Sequence, residues 1–169
     1  MGMIKIDGNS LTLEDIVNVS RHHYQIELTP EAIVEVEKSR EYVDHLVESG
    51  AVVYGITTGF GNFSNVHISK DEAKELQRNL IISHSCGIGN TFSKEIVRAI
   101  MLLRINNLAK GFSGIRLCTL NTLIELLNKG VHPRIYEKGS LGASGDLVPL
   151  AHMVLPMLGE GEAEFEGEM

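Results

Sequence analysis

Between Ser93 and Gly111 the apolar side chains fall on too much of a helical surface for a helix that borders water. Ile96, Val97, Ile100, Met101, Leu103, Ile105 and Leu108 sweep a broad arc, and such a helix belongs at the centre of a bundle, covered by others. The rest of the chain supplies the covering helices. Thr12 caps a segment from Leu13 to about Ser20, with Asp15 near its positive end. Thr29-Pro30 opens a second, carried by Ile33, Val36, Val43, Leu46 and Val47 up to Gly50. Ser69 and Glu72 form a capping box for a helix through Ala73, Leu76 and Leu80 that ends around Cys86-Gly87-Ile88-Gly89. Leu117, Leu120, Leu123, Ile124 and Leu127 mark another, roughly Ile115 to Asn128, closed before Gly130. Asp146 is placed to cap one more. The expected class is mainly α, with five to seven helices and little strand: Met3 to Ile6, and the start of a strand or turn between Glu162 and Gly167.

The 169 residues suffice for one domain. No repeat, low-complexity run or linker divides them. The glycine-rich stretch 51–68 reads as a loop covering a site. A net charge of −7 and the lack of a basic patch disfavour nucleic acid. The longest strongly apolar run, Leu147 to Leu158, is broken by Pro149, His152 and Pro156, so no membrane span is expected. The N-terminus lacks a secretory pattern, and Cys86 and Cys118 fit buried free thiols in a reducing compartment; the expected location is cytoplasmic. The histidines form no spaced metal-ligand motif, so no metal is expected.

The chemically unusual stretch is Lys138-Gly139-Ser140-Leu141-Gly142-Ala143-Ser144-Gly145-Asp146-Leu147. Clusters of serine and glycine are ordinarily turns. The order Ala-Ser-Gly permits something more. Gly145 offers an amide nitrogen with no Cβ to crowd its attack on the Ala143 carbonyl, and Ser144 carries a hydroxyl that leaves as water. Cyclisation and dehydration would yield a five-membered ring with an exocyclic methylene, an electrophile that no coded side chain provides.

Residues 139–147 resemble the signature of the aromatic amino acid ammonia-lyases. Three further stretches match that family in order and spacing: Tyr54-Gly55-Ile56-Thr57-Thr58-Gly59-Phe60-Gly61; Leu80 to Gly89, with Ser83-His84 inside; and Leu108-Ala109-Lys110-Gly111-Phe112-Ser113-Gly114-Ile115-Arg116. The resemblance implies the N-terminal part of the helical lyase fold, from a chain several hundred residues long. It implies a 4-methylidene-imidazole-5-one group formed from Ala143, Ser144 and Gly145, with no external cofactor. Whether a piece of this length forms the ring is open. Tyr54, on a mobile loop (51–68) normally contributed across a subunit interface, matches the catalytic acid/base, and His84 matches the residue that contacts the substrate's ring. Gly142, Asp146 and His152 match the support of the prosthetic group. The implied assembly is a homotetramer, and the implied partner a small-molecule amino acid substrate. Within the family Ser83-His84 and Phe112-Ser113-Gly114 resemble the histidine-deaminating members most, which convert L-histidine to trans-urocanate and ammonia.

Each of these residues also has an ordinary use. A tyrosine where an apolar run meets glycine is commonly a core-edge anchor, and a phenol near pKa 10 is a poor base unless its phenolate is stabilised. A histidine at a helix end is commonly a cap. Tyrosine ammonia-lyase and aromatic 2,3-aminomutase chemistry use the same group, and His84 suits a tyrosine hydroxyl as well as an imidazole. A different class of reading is a non-enzymatic helical fragment or interaction module. The family's substrate-carboxylate arginine, its ordering asparagine, a second tyrosine and a late glutamate have no match before Met169, so the isolated piece is expected to be silent whatever its parent does.

Overall fold

A computed structural model of the chain describes residues 2–58, 70–142, 145 and 147–168, without the side chains of residues 70–74. Among these residues the order is β1 (Met3–Ile6), α1 (Leu13–Ser20), β2 (Gln25–Leu28), α2 (Pro30–Glu48), α3 (Lys70–His84), β3 (Ile88–Thr91), α4 (Lys94–Leu108), α5 (Leu117–Lys129), β4 (His132–Pro133), β5 (Tyr136–Lys138), α6 (Leu147–Val154), a single 3-10 turn (Leu155–Leu158) and β6 (Ala163–Glu164). None of the described helices is long and apolar enough to cross a membrane.

Local chemistry sets the helix starts. The Thr12 hydroxyl accepts from the Asp15 N–H at 3.2 Å while the Thr12 N–H donates to the Asp15 carboxylate at 3.0 Å, closing a reciprocal box at the head of α1. Thr29 caps α2 through the Ala32 N–H at 3.2 Å, with Pro30 in the first turn, where its missing N–H costs nothing. The capping box expected at Ser69 lies outside the described residues.

Helix α4 is the centre of the fold. It packs on α1 and α5 and buries Val97, Met101, Leu102, Ile105 and Leu108. The broad apolar arc is not fully covered: Ile96 and Leu103 remain 44% and 49% exposed. Arg98 is the largest fully buried side chain, 2% exposed. Its Nε donates to the Val19 carbonyl and one Nη to the Leu127 carbonyl, both at 2.9 Å, so one guanidinium satisfies the last turns of α1 and α5 together. Asn128 does similar work at the sheet edge. Its amide accepts from the Ile26 N–H at 2.9 Å and donates to the Ile26 carbonyl at 2.8 Å, standing in for a neighbouring strand beside β2.

The architecture is mixed α/β rather than mainly helical. Strands β1 and β2 pair in parallel, β3 with β5 and β4 with β6 antiparallel. These ladders are two to four residues long, too short for an alternating pattern to register. The expectation of buried thiols is also corrected. Cys86 and Cys118 are free, but both are exposed: Cys118 lies on α5 away from its buried stripe of Leu120, Leu123, Ile124 and Leu127, and Cys86 in the turn after α3.

Arg98→Ala should lower the unfolding free energy by roughly 2–4 kcal/mol, since two carbonyls lose their donor and a packed side chain is removed. Urea denaturation followed by circular dichroism measures this; a change below about 0.5 kcal/mol would contradict the role given to Arg98.

Candidate active site

The C-terminal turn of α3 is held by its own side chains. The Ser83 hydroxyl donates to the Leu80 carbonyl at 2.9 Å and the Ser85 hydroxyl to the Ile81 carbonyl at 2.8 Å. His84 Nδ1 lies 2.7 Å from the same Leu80 carbonyl. A carbonyl only accepts, so Nδ1 carries the proton and Nε2 of the neutral ring is left as an acceptor. His84 lines a groove of about 260 Å³ between α3 and α6, walled by Leu80, Ile81, Leu147, Leu150 and Val154, with Arg104 of α4 at its edge. An apolar slot with two polar groups is the ordinary form of a small-molecule site. Leu147 is the first residue after the 139–146 stretch, so the groove brings His84 to one flank of that loop.

Beside this stretch, several contacts meet at His152. The Gly87 N–H donates to His152 Nε2 at 3.0 Å. That nitrogen is therefore unprotonated and His152, 8% exposed, carries its proton on Nδ1. The Tyr136 ring meets His152 edge-on, centroids 5.0 Å apart at 65°, and the Arg134 guanidinium stands 5.4 Å from the centre of the Tyr136 ring. A side chain at Gly87 would place its Cβ 3.0 Å from both His152 Nε2 and Tyr136 Cβ. Gly139, at φ +146°, would place one 2.5 Å from Val148 Cγ1 and 3.3 Å from Gly87 Cα.

Gly142 has φ +79°, and a Cβ on Gly145 would sit 2.9 Å from Ser140 Oγ. A side chain on residue 145 would require the Ser140 hydroxyl to turn away. That suits a nucleophilic amide nitrogen, and Gly145 as placed fits the part this residue would take in a group built from the tripeptide. Ala143, Ser144 and Asp146 themselves lie outside the described residues, as do Gly59, Phe60 and Gly61. Tyr54 stands in a turn fastened by Thr57, whose hydroxyl donates to the Ala51 carbonyl at 2.6 Å and accepts from the Val53 N–H at 2.8 Å. Tyr54 is 63% exposed and is not part of the groove wall that includes His84. Thus His84 shares a groove with Leu147 and His152 is bonded to Gly87, whereas Tyr54 is not in that groove wall. Gly87, Tyr136 and Arg104 were not singled out by the sequence. A glycine after a helix reads as a stop signal, and a tyrosine or arginine amid ordinary residues carries no local mark.

The sequence pattern of the aromatic amino acid lyase family matches residues 11–169. The histidine ammonia-lyase of Alkaliphilus oremlandii is 63% identical over 168 residues, 99% of this chain and 33% of that protein. Among solved structures, ergothionase of Treponema denticola superposes with a TM-score of 0.93 at 34% identity, covering 98% of this chain and 33% of the other. Phenylalanine aminomutase of Pantoea agglomerans does so at 0.90 and 38%, covering 99% and 32%. The chain spans about a third of the length of the relatives it matches.

Burial holds the imidazoles of His152 and His132 below the ordinary value of 6.5; at His132 the nearby Arg98 charge adds to the effect. The unfolded chain then takes up these protons first as pH falls. Their contribution to stability is complete above about 6.5 and declines as pH drops from there towards the folded-state values. Unfolding free energies from urea titrations should therefore be lower at about pH 5.5 than at about pH 7.5, and His152→Gln should shrink the difference.

Proposed function

The chain belongs to the aromatic amino acid lyase family, and on that premise we propose that the protein containing it converts L-histidine to trans-urocanate and ammonia. The observation that carries this reading is the 63% identity to a histidine ammonia-lyase over nearly the whole chain. Solved relatives with this backbone, a histidine ammonia-lyase of Trypanosoma cruzi among them, are 34–38% identical. The orientation of His84 adds support. With Nδ1 committed to the Leu80 carbonyl, Nε2 seeks a donor at the ring end of the substrate, and an imidazole N–H provides one.

The ring derived from Ala143, Ser144 and Gly145 would supply an electrophile to activate the amino acid for loss of ammonia. The remaining work belongs to side chains. Tyr54 removes the β-proton at its oxygen; the Gly55 backbone at φ +73° suits a turn that presents it. His84 receives the imidazole edge and fixes the side chain's rotation, which orients the β-hydrogen. Gly142, Asp146 and His152 support the loop. The stretch 51–68 serves as the active-site loop and 139–147 as the prosthetic-group loop. The assembly is a homotetramer, supported by the uncovered Ile96 and Leu103 of the central helix. Its place is the cytoplasm, where the exposed thiols of Cys86 and Cys118 stay reduced.

The test is a competition assay of the full-length protein with histidine, tyrosine and phenylalanine, reading urocanate by ultraviolet absorbance and β-amino acids by chromatography. Histidine should exceed phenylalanine by at least roughly ten-fold in kcat/KM, because phenylalanine leaves the His84 acceptor unpaired at about 1–3 kcal/mol. His84→Leu should narrow or reverse that preference. Accumulation of β-tyrosine would replace this reading with an aminomutase, and dominance of cinnamate would remove His84 from ring recognition.

Tyr54→Phe should leave KM nearly unchanged and lower kcat by about a hundred-fold or more, the signature of a lost proton-transfer group. Steady-state kinetics on protein whose dehydrated mass has been verified measures it.

A further inference from the structure

We propose that Gly87 is the anchor from which both ends of the 139–147 loop are measured, and that His152 is the positioning residue that holds the anchor through an acceptor at its Nε2 position. The inference rests on the lyase reading above and concerns how the loop is made ready to cyclise.

The two flanks of the loop are β5, ending at Lys138, and α6, beginning at Leu147. Each is referred to the same point. Ile88, next to Gly87, pairs with Lys138, and a Cβ on Gly139 would stand 3.3 Å from Gly87 Cα, while one on Gly87 would meet His152 and Tyr136 at 3.0 Å. On the other flank the Gly87 N–H is bonded to His152, five residues into α6, while Val148 of the same helix closes over Gly139. Tyr136 of β5 packs its ring on His152 from the side. The span that the loop must bridge is thus set by one backbone N–H and two glycine contacts.

Ring closure needs such a constraint. The Gly145 nitrogen bonds to the Ala143 carbonyl carbon. The Ala143 oxygen leaves as water with the amide hydrogens of Gly145 and Ser144. The Ser144 hydroxyl leaves with its α-hydrogen as a second water, and no oxidant or reductant enters. An amide reaches the carbonyl two residues back only when the reacting atoms are held within about 3–3.5 Å, and a loop with loose ends spends little time there. Releasing Gly87 from α6 frees one end.

The experiment uses the full-length protein as wild type, His152→Gln, His152→Asn, His152→Leu and Gly87→Ala, with Ser144→Ala as the unmodified reference. Intact mass reads the loss of two waters, ultraviolet absorbance reads the conjugated ring, and circular dichroism reads folding. A glutamine puts an acceptor close to where Nε2 stands; an asparagine puts one nearer Nδ1, out of reach of Gly87. Wild type and His152→Gln should mature fully, while His152→Asn and His152→Leu should retain both waters in at least about ten-fold more of the folded chains. Gly87→Ala keeps the N–H but forces the 3.0 Å contacts apart, and should also mature incompletely. It keeps the question decidable if the leucine variant does not fold. Complete maturation of folded His152→Asn and Gly87→Ala would overturn the anchor and leave the lyase reading standing. A wild-type protein that keeps both waters would overturn both.

Discussion

A positive charge placed where two helices end organises the core. Arg98 rises from the second turn of α4 into the interior, and its guanidinium donates to Val19 near the end of α1 and Leu127 near the end of α5. Helix C-termini carry partial negative charge and unpaired carbonyls, so a buried cation meets both needs at once. Burial lowers the guanidinium's pKa, but arginine stays protonated in such a setting. The directions of α1, α4 and α5 are consequently not independent. Asn128, one residue past Leu127, then ties α5 to β2, and the chain leaving α5 runs straight into β4 and β5. The scaffold that carries the 139–147 loop is in this way continuous with the most buried part of the molecule.

The site shows the same economy at its periphery. At the end of α3, the side chains of Ser83, His84 and Ser85 turn back on the helix's own last carbonyls. That settles a backbone requirement and, at His84, also chooses a tautomer. The proton placement that leaves Nε2 free to accept is thus a by-product of helix capping. His152 has its proton placed in the opposite sense of cause: the Gly87 N–H demands an acceptor, and burial keeps the ring neutral enough to be one. Two histidines of the same chemistry are prepared for different work by what lies next to them.

Backbone likeness alone would not have separated the chemistries. An ergothionase and a phenylalanine aminomutase share this chain's path nearly as a whole. One fold carrying several chemistries is the usual relation between a fold and its functions. The 63% identity to a histidine ammonia-lyase bears on the side chains as the backbone cannot.

From the sequence by itself came the helix starts at Thr12 and Thr29, the stop at Gly130, the central position of 94–108, the lyase family and the reactive order Ala143-Ser144-Gly145. These are legible because their physics is local: a cap acts within four residues, an apolar face repeats every three or four, and a cyclising tripeptide is contiguous. Tertiary structure decided the rest. The bonds from Arg98 to Val19, from Asn128 to Ile26 and from Gly87 to His152 join residues 79, 102 and 65 positions apart. No periodicity announces such pairs. The short ladders β3–β5 and β4–β6 exist because a distant partner happens to lie alongside, and Cys86 and Cys118 are exposed because the elements around them turn their buried faces elsewhere. Nor could spacing say that His84 would share a groove with Leu147 while Tyr54 stood outside it, since that depends on where α6 lies against α3, and a contact between helices leaves no mark on the order of residues within either one.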